Sequence, residues 1–149
     1  MLDRRALSKR RIIIVSAVSA VILSAVAYIV LYFAGQRRAE SLQCASAITS
    51  ICLAGHLWAE DYGGFMPTNF ICMSNEISTP SILSCVPARR THTGNWANFG
   101  PENCTYEILS PGMRVDDTNR AFLRCTIHGH LGYSDTTVFD GVRRRHKFE

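Results

Sequence analysis

The sequence predicts an α+β chain, with one long N-terminal helix followed by a small antiparallel β-sheet. Three observations carry that expectation. Residues 12–34 hold no charged side chain, and no proline occurs before Pro67. Past residue 62 the texture changes, to short apolar runs set among Pro, Gly, Asn, Ser and Thr. A helical run followed by several short strands is the order of an α+β fold.

The uncharged run comes first. "IIIVSAVSAVILSAVAYIVLYFA" would make a helix roughly 34 Å long at 1.5 Å per residue, enough to cross a bilayer. Its polar members are serines and two tyrosines, Tyr28 and Tyr32, which lie near the outer end where amphipathic rings favour the interface. Flanking charge sets an orientation. Arg4, Arg5, Lys9, Arg10 and Arg11 precede the run against Asp3 alone, whereas Arg37 and Arg38 follow it. That asymmetry expects a cytoplasmic N-terminus and an exported C-terminal part. Of the chain's 16 basic and 12 acidic residues, 5 and 1 lie in residues 1–11, leaving 11 of each beyond. The exported part is neutral and makes no case for nucleic acid or acidic substrates as partners. "SAVA", ending at Ala27, resembles a signal-peptidase site, but seven further apolar residues follow it. No cysteine ends the span, so no lipoprotein anchor is expected.

Residues 36–62 continue in helical style. Ala45, Ile48, Ile51/Cys52, Gly55 and Trp58/Ala59 recur every three or four positions. Gly35 costs about 1 kcal/mol in a helix, which can bend it but need not end it. One helix is therefore predicted over about 9–61, stopped by Gly63, Gly64 and Pro67. Strands are predicted at 70–73, 82–86, 104–109, 121–127 and 136–139. Residues 76–84 have a second reading, a helical turn begun at Ser78 or Thr79 before Pro80. Residues 110–113 and 129–135 read as turns and 115–120 as an exposed loop. The organisation is thus a cytoplasmic segment 1–11, a membrane span 12–34, an exported domain 35–142 and a solvated basic tail 143–149.

Six cysteines, Cys44, Cys52, Cys72, Cys85, Cys104 and Cys125, all follow the span. In an oxidising compartment such a set forms bridges, and the spacings do not choose among the pairings. "CTIHGHLGYSD", residues 125–135, concentrates the polar chemistry. Cys125, His128 and His130 supply three zinc-ligand types, with Cys85 as a fourth candidate. Against this, C-x-x-H-x-H is not a common zinc spacing. On a strand His128 and His130 would share a face while Cys125 pointed away from His128, although Gly129 can relax that geometry. A Cys/His nucleophilic pair lacks an evident third residue. The reading adopted is a hairpin whose histidines hydrogen-bond the turn, with no metal, no cofactor and no enzymatic activity. Asp116, Asp117 and Asn119 carry oxygen donors suited to calcium but lack the alternating donors of a dedicated loop, and read as a solvated turn. The tail Arg143, Arg144, Arg145 and Lys147 reads as solubilising. Trp58 and Trp96 read as packing residues.

Several stretches carry a family resemblance. The helix ends in "CLAGHLWAEDYGGFMP", followed by "MSNEISTPSILSCVP", and near the C-terminus His130 precedes Asp140-Gly141 by a nine-residue spacer. In this order they resemble type IV pilins and type II secretion pseudopilins, in particular a prepilin-associated family marked by His-x9-Asp-Gly. The resemblance covers residues 44–141. It implies a pilin-like fold and a structural role as a pseudopilin or minor pilin. It also implies the bilayer and other pilin-like subunits as partners, met through helix packing. A cysteine accompanies both the 82–86 and 121–127 segments in that family, which implies a Cys85–Cys125 bridge. Two reduced, buried thiols are the alternative. The rival function is a membrane-anchored metal-binding module or Cys/His enzyme using Cys125, His128 and His130.

The chain departs from the family at its start. No Gly-Phe pair precedes the span, and residues 12–34 contain no acid. The expectation is an anchor not cut at a prepilin site. The intact mass of the protein extracted from membranes should include the basic segment. A mature chain beginning at Ile12 or nearby with a methylated amine would refute this.

Overall fold

The computed structural model describes residues 4–91, 94–141 and 144–145. The chain divides into two units, Met1–Ala39 and Glu40–Glu149. A single helix, α1 (Arg4–Asp61), supplies all the described structure of the first unit and opens the second. It covers the predicted helix, and Gly35 does not interrupt it.

In the first unit the apolar residues from Val15 to Phe33 are exposed; Leu23 and Leu31 stand 70% and 72% open. Leaving a Leu side chain in water forgoes about 1.5–3 kcal/mol of burial. A run of them on every side of one helix is the pattern of a span in lipid. This helix is long and apolar enough to cross a membrane.

In the second unit α1 packs on a five-stranded antiparallel sheet. Its buried face comprises Cys44, Ile48, Thr49, Ile51, Cys52, Ala54, Gly55 and Ala59; of the predicted stripe, Ala45 and Trp58 are only half-buried. The helix stops as its glycines require. The Gly64 amide donates to the Ala59 carbonyl (2.8 Å) with Gly63 at φ +73°, a left-handed cap that L side chains resist.

The strands are β1 (Tyr106–Ile108), β2 (Ala121–Cys125), β3 (Leu131–Tyr133), β4 (Val138–Phe139) and β5 (Arg144–Arg145). They form a meander in chain order, each antiparallel to the next. A register shift between Ala121 and Leu123 lets two successive residues, Phe122 and Leu123, both face the core.

Several sequence expectations are corrected here. Residues 70–73 are a 3-10 turn, because Asn69 accepts the Cys72 amide (3.1 Å) and starts it. The 82–86 strand is replaced by a 3-10 turn at Pro80–Leu83, with Thr79 accepting the Ser81 amide (3.3 Å). This is the alternative reading of that segment. The 104–109, 121–127 and 136–139 strands are shorter than expected; Thr136, at φ +65°, holds the β3–β4 turn and cannot extend β4. Residues 131–133, read as part of a turn, form the central strand β3. Arg144 and Arg145, read as tail, pair with Phe139 and Val138. Arg143 and Lys147 lie outside the described residues, as does Met1–Asp3 of the basic segment.

β3 depends on one glycine for packing. A Cβ at Gly132 would lie 2.5 Å from Ile48 Cγ2 and 2.6 Å from Cys52 Sγ, closer than real side chains allow. His56 adds a direct link, its Nδ1–H donating to the Ser134 carbonyl (3.2 Å). Gly132→Ala should therefore destabilise the second unit by about 1–3 kcal/mol. A urea titration of the full chain in detergent, followed by circular dichroism, checks this; an unchanged midpoint refutes it.

Candidate functional site

Three separated segments meet beneath the N-terminal end of the packed half of α1. Cys44 comes from α1. Cys85 lies between the 3-10 turns Pro80–Leu83 and Val86–Thr91. Cys125 ends β2, and His128 closes the turn after it. One donor atom from each of these four residues lies within 4.8 Å of the others. Among the described residues this is the one such gathering of three or more Cys, His, Asp or Glu donors. The three cysteines are buried and His128 is half-buried.

Local bonding explains the convergence. Thr105, just before β1, receives the Cys85 amide on its hydroxyl (2.6 Å) and the Thr126 amide on its carbonyl (2.9 Å). It also donates its own amide to Leu83 (3.0 Å). One residue thus ties the Cys85 loop to the β1–β2 edge. After Cys125 the chain turns rather than extends. Gly129, at φ +71°, donates to the Cys125 carbonyl (2.9 Å), and Cys125 donates to the His130 carbonyl (2.9 Å). The turn brings the His128 amide to Cys125 Sγ (3.4 Å) and its Nδ1 to 4.0 Å from the same sulfur. His128 Nδ1 lies 3.2 Å from Cys85 Sγ. The strand geometry that separated Cys125 from His128 is therefore corrected: residues 126–128 are a turn.

Burial and hydrogen bonding shift the thiols of the cluster in opposite directions. A hydrogen bond from Cys44 pulls Cys125 down to about 4, against burial, with help from the His128 and Ile127 amides. The same bond, with burial, pushes Cys44 up. Burial raises Cys85. Tyr106, whose hydroxyl donates to Cys44 Sγ (3.7 Å), is raised by burial and by the neighbouring cysteines.

His130 takes another place. It is buried, with Nε2 3.2 Å from Ser41 Oγ on α1 and its ring stacked on His128 at 5.4 Å. The His130 ring reaches across the fold to Ser41, and the His128 ring reaches Cys85 as well as Cys125 at the base of the turn. Burial, then the charge of His128, lowers the His130 pKa, while Asp140 acts in the opposite direction. Gly141 itself is exposed at φ +89°.

The sulfurs of Cys85 and Cys125 lie within 4.8 Å of each other, and both are free thiols here, as are the other four cysteines. Cys44 was not among the sequence-level candidates. Its helical phase, one residue before Ala45 on the predicted stripe, was the available signal. Asp116 is held by Arg114 at 3.1 Å in an exposed turn, and Arg114 keeps its carboxyl below the usual range. Trp58 stacks on Tyr62 at 4.0 Å, and Trp96 donates to the Ile77 carbonyl (3.1 Å), both packing roles. Comparison with protein-family models, with curated proteins and with solved structures found no match.

Replacing Thr105 with Val removes the acceptor of a buried amide. Thr105→Val should cost about 1–3 kcal/mol. It should also speed alkylation of Cys85, read by mass spectrometry of the reduced protein. Unchanged stability and reactivity would remove Thr105 from this role.

Proposed function

We propose that the chain is a membrane-anchored, pilin-like structural subunit, a pseudopilin or minor pilin of a type II secretion or type IV pilus system. The observation that supports this reading best is the use of α1. One helix carries an apolar, exposed stretch and then a half that docks on an antiparallel meander. The apolar stretch would hold the subunit in the cell membrane, with residues 1–11 in the cytoplasm and the sheet exported. Beyond Glu40, Leu42, Leu53 and Leu57 remain exposed on α1 although the opposite face is buried. These side chains suit packing against the helix of another subunit, which is how such a protein would assemble.

The experiment follows the full chain in a bacterial host. It should resist alkaline carbonate extraction and become protease-sensitive only once the outer face of the membrane is opened. Leu23→Arg should weaken insertion, at a cost of about 2.5–3.5 kcal/mol near the helix centre. A photo-crosslinker at Leu53 or Leu57 should capture a second helix-bearing subunit. Carbonate release of the wild type would overturn the anchor. Membrane retention without any crosslink from either position would overturn the assembly role.

A further inference from the structure

We propose that Cys44, Cys85, Cys125 and His128 form a closed, tetrahedral zinc site that clamps α1 to the sheet. The proposal does not depend on the assembly role, because it concerns the exported unit alone.

Donor number and spacing come first. Zinc bound by about 2.3 Å to sulfur and about 2.0–2.1 Å to nitrogen sets neighbouring donors about 3.5–3.8 Å apart. The two measured sulfur–imidazole separations, 3.2 Å and 4.0 Å, bracket that spacing. All four donor atoms fall within 4.8 Å, so the closure needed is about an ångström. Four protein donors leave no open position, which is the arrangement of a structural rather than a catalytic zinc.

Donor chemistry comes second. Three thiolates and an imidazole suit zinc, whereas calcium and magnesium take oxygen. Binding would release the protons still held by the thiols and form four metal–ligand bonds, with no change of oxidation state. The surroundings suit the anionic sulfurs this requires. The His128 amide points at Cys125 Sγ, and the Tyr106 hydroxyl at Cys44 Sγ. Such outer contacts orient ligands and hold their charge. The Cys125-x-x-His128 turn supplies two ligands from one tight loop, with Gly129 at positive φ completing it.

A disulfide is the competing use of these sulfurs. The number of donors argues against it. A bridge between any two of Cys44, Cys85 and Cys125 engages only two of the four gathered donors. A metal engages all four together.

The test uses the full chain in detergent, reduced and freed of metal, with cobalt(II) as the first probe. Saturation at one equivalent is expected, with an intense near-ultraviolet thiolate-to-cobalt band and tetrahedral ligand-field bands, all lost on adding zinc. Cys125→Ser and His128→Asn should each weaken cobalt binding by at least about tenfold, the effect that even orienting residues have. Cys72→Ser, away from the cluster, should leave the titration unchanged. Circular dichroism establishes that each metal-free variant is folded. Should Cys125→Ser unfold, His128→Asn carries the same test from a half-buried position. A folded, reduced wild type with no thiolate-to-cobalt band overturns the proposal. An unchanged titration for His128→Asn, or a loss for Cys72→Ser as large as that for His128→Asn, overturns this donor set. So does a disulfide among Cys44, Cys85 and Cys125 in protein taken from membranes under a thiol-blocking reagent. None of these results bears on carbonate extraction or crosslinking, so the two readings fail separately.

Discussion

Close contact between one face of α1 and the centre of the sheet governs the second unit. At Gly132 the strand offers no side chain, and Ile48 and Cys52 occupy the space. On the helix side Gly55 does the same for Met66, Phe122 and Met73, whose side-chain atoms would lie 3.0–3.5 Å from a Cβ there. A small sheet buries little by itself. Pressing a helix into it through two glycines lets Phe122, Leu123, Ile48 and Ile51 share one dry interior. The bulge in β2 belongs to the same solution, since it turns two successive apolar residues inward.

That docking also locates the polar chemistry. Cys44 sits two turns before Ile51 on the buried face, so seating the helix carries it to the end of β2. Thr105 brings the Cys85 loop to the same place through bonds on both its hydroxyl and carbonyl. The turn at 126–128 supplies His128. Buried cysteines usually serve as small hydrophobes. Here three of them, with an imidazole nitrogen, share one space. His130, two residues on, bonds to Ser41 and stacks on His128, and so braces the cluster without offering it a donor.

The two halves of α1 obey different rules within one secondary structure. From Val15 to Phe33 the side chains are apolar all round and exposed. From Glu40 onward the helix is sided, with an apolar face buried and Glu40 and Glu60 outside it. The first pattern suits a medium that is apolar in every direction, and the second suits a core on one side only.

Much of this was legible in the sequence because it is local. The uncharged run, the 3.6-residue recurrence of Ile48, Ile51/Cys52, Gly55 and Ala59, and the stop at Gly63 and Gly64 each follow from neighbours a few residues apart. So did the Thr79–Pro80 turn start, which the residues offered beside a strand that did not form. Where the expectations failed, distant partners decided. Leu131–Tyr133 looked like a turn because it holds glycine and borders histidine, yet β2 and β4 flank it and α1 needs the glycine's space. Arg144 and Arg145 looked like a tail because their charge is high, yet β4 offered an open edge. Cys44 and Cys85 are separated by a helix end and two 3-10 turns, and spacing alone cannot bring them together. By itself the sequence determined a long helix with an apolar span, a sided second half and a sheet-forming remainder, because periodicity and chain breakers act over one or two turns. Only the tertiary structure decided which cysteines meet, and that His128 rather than His130 joins them, because convergence depends on how closely the helix and the sheet can approach.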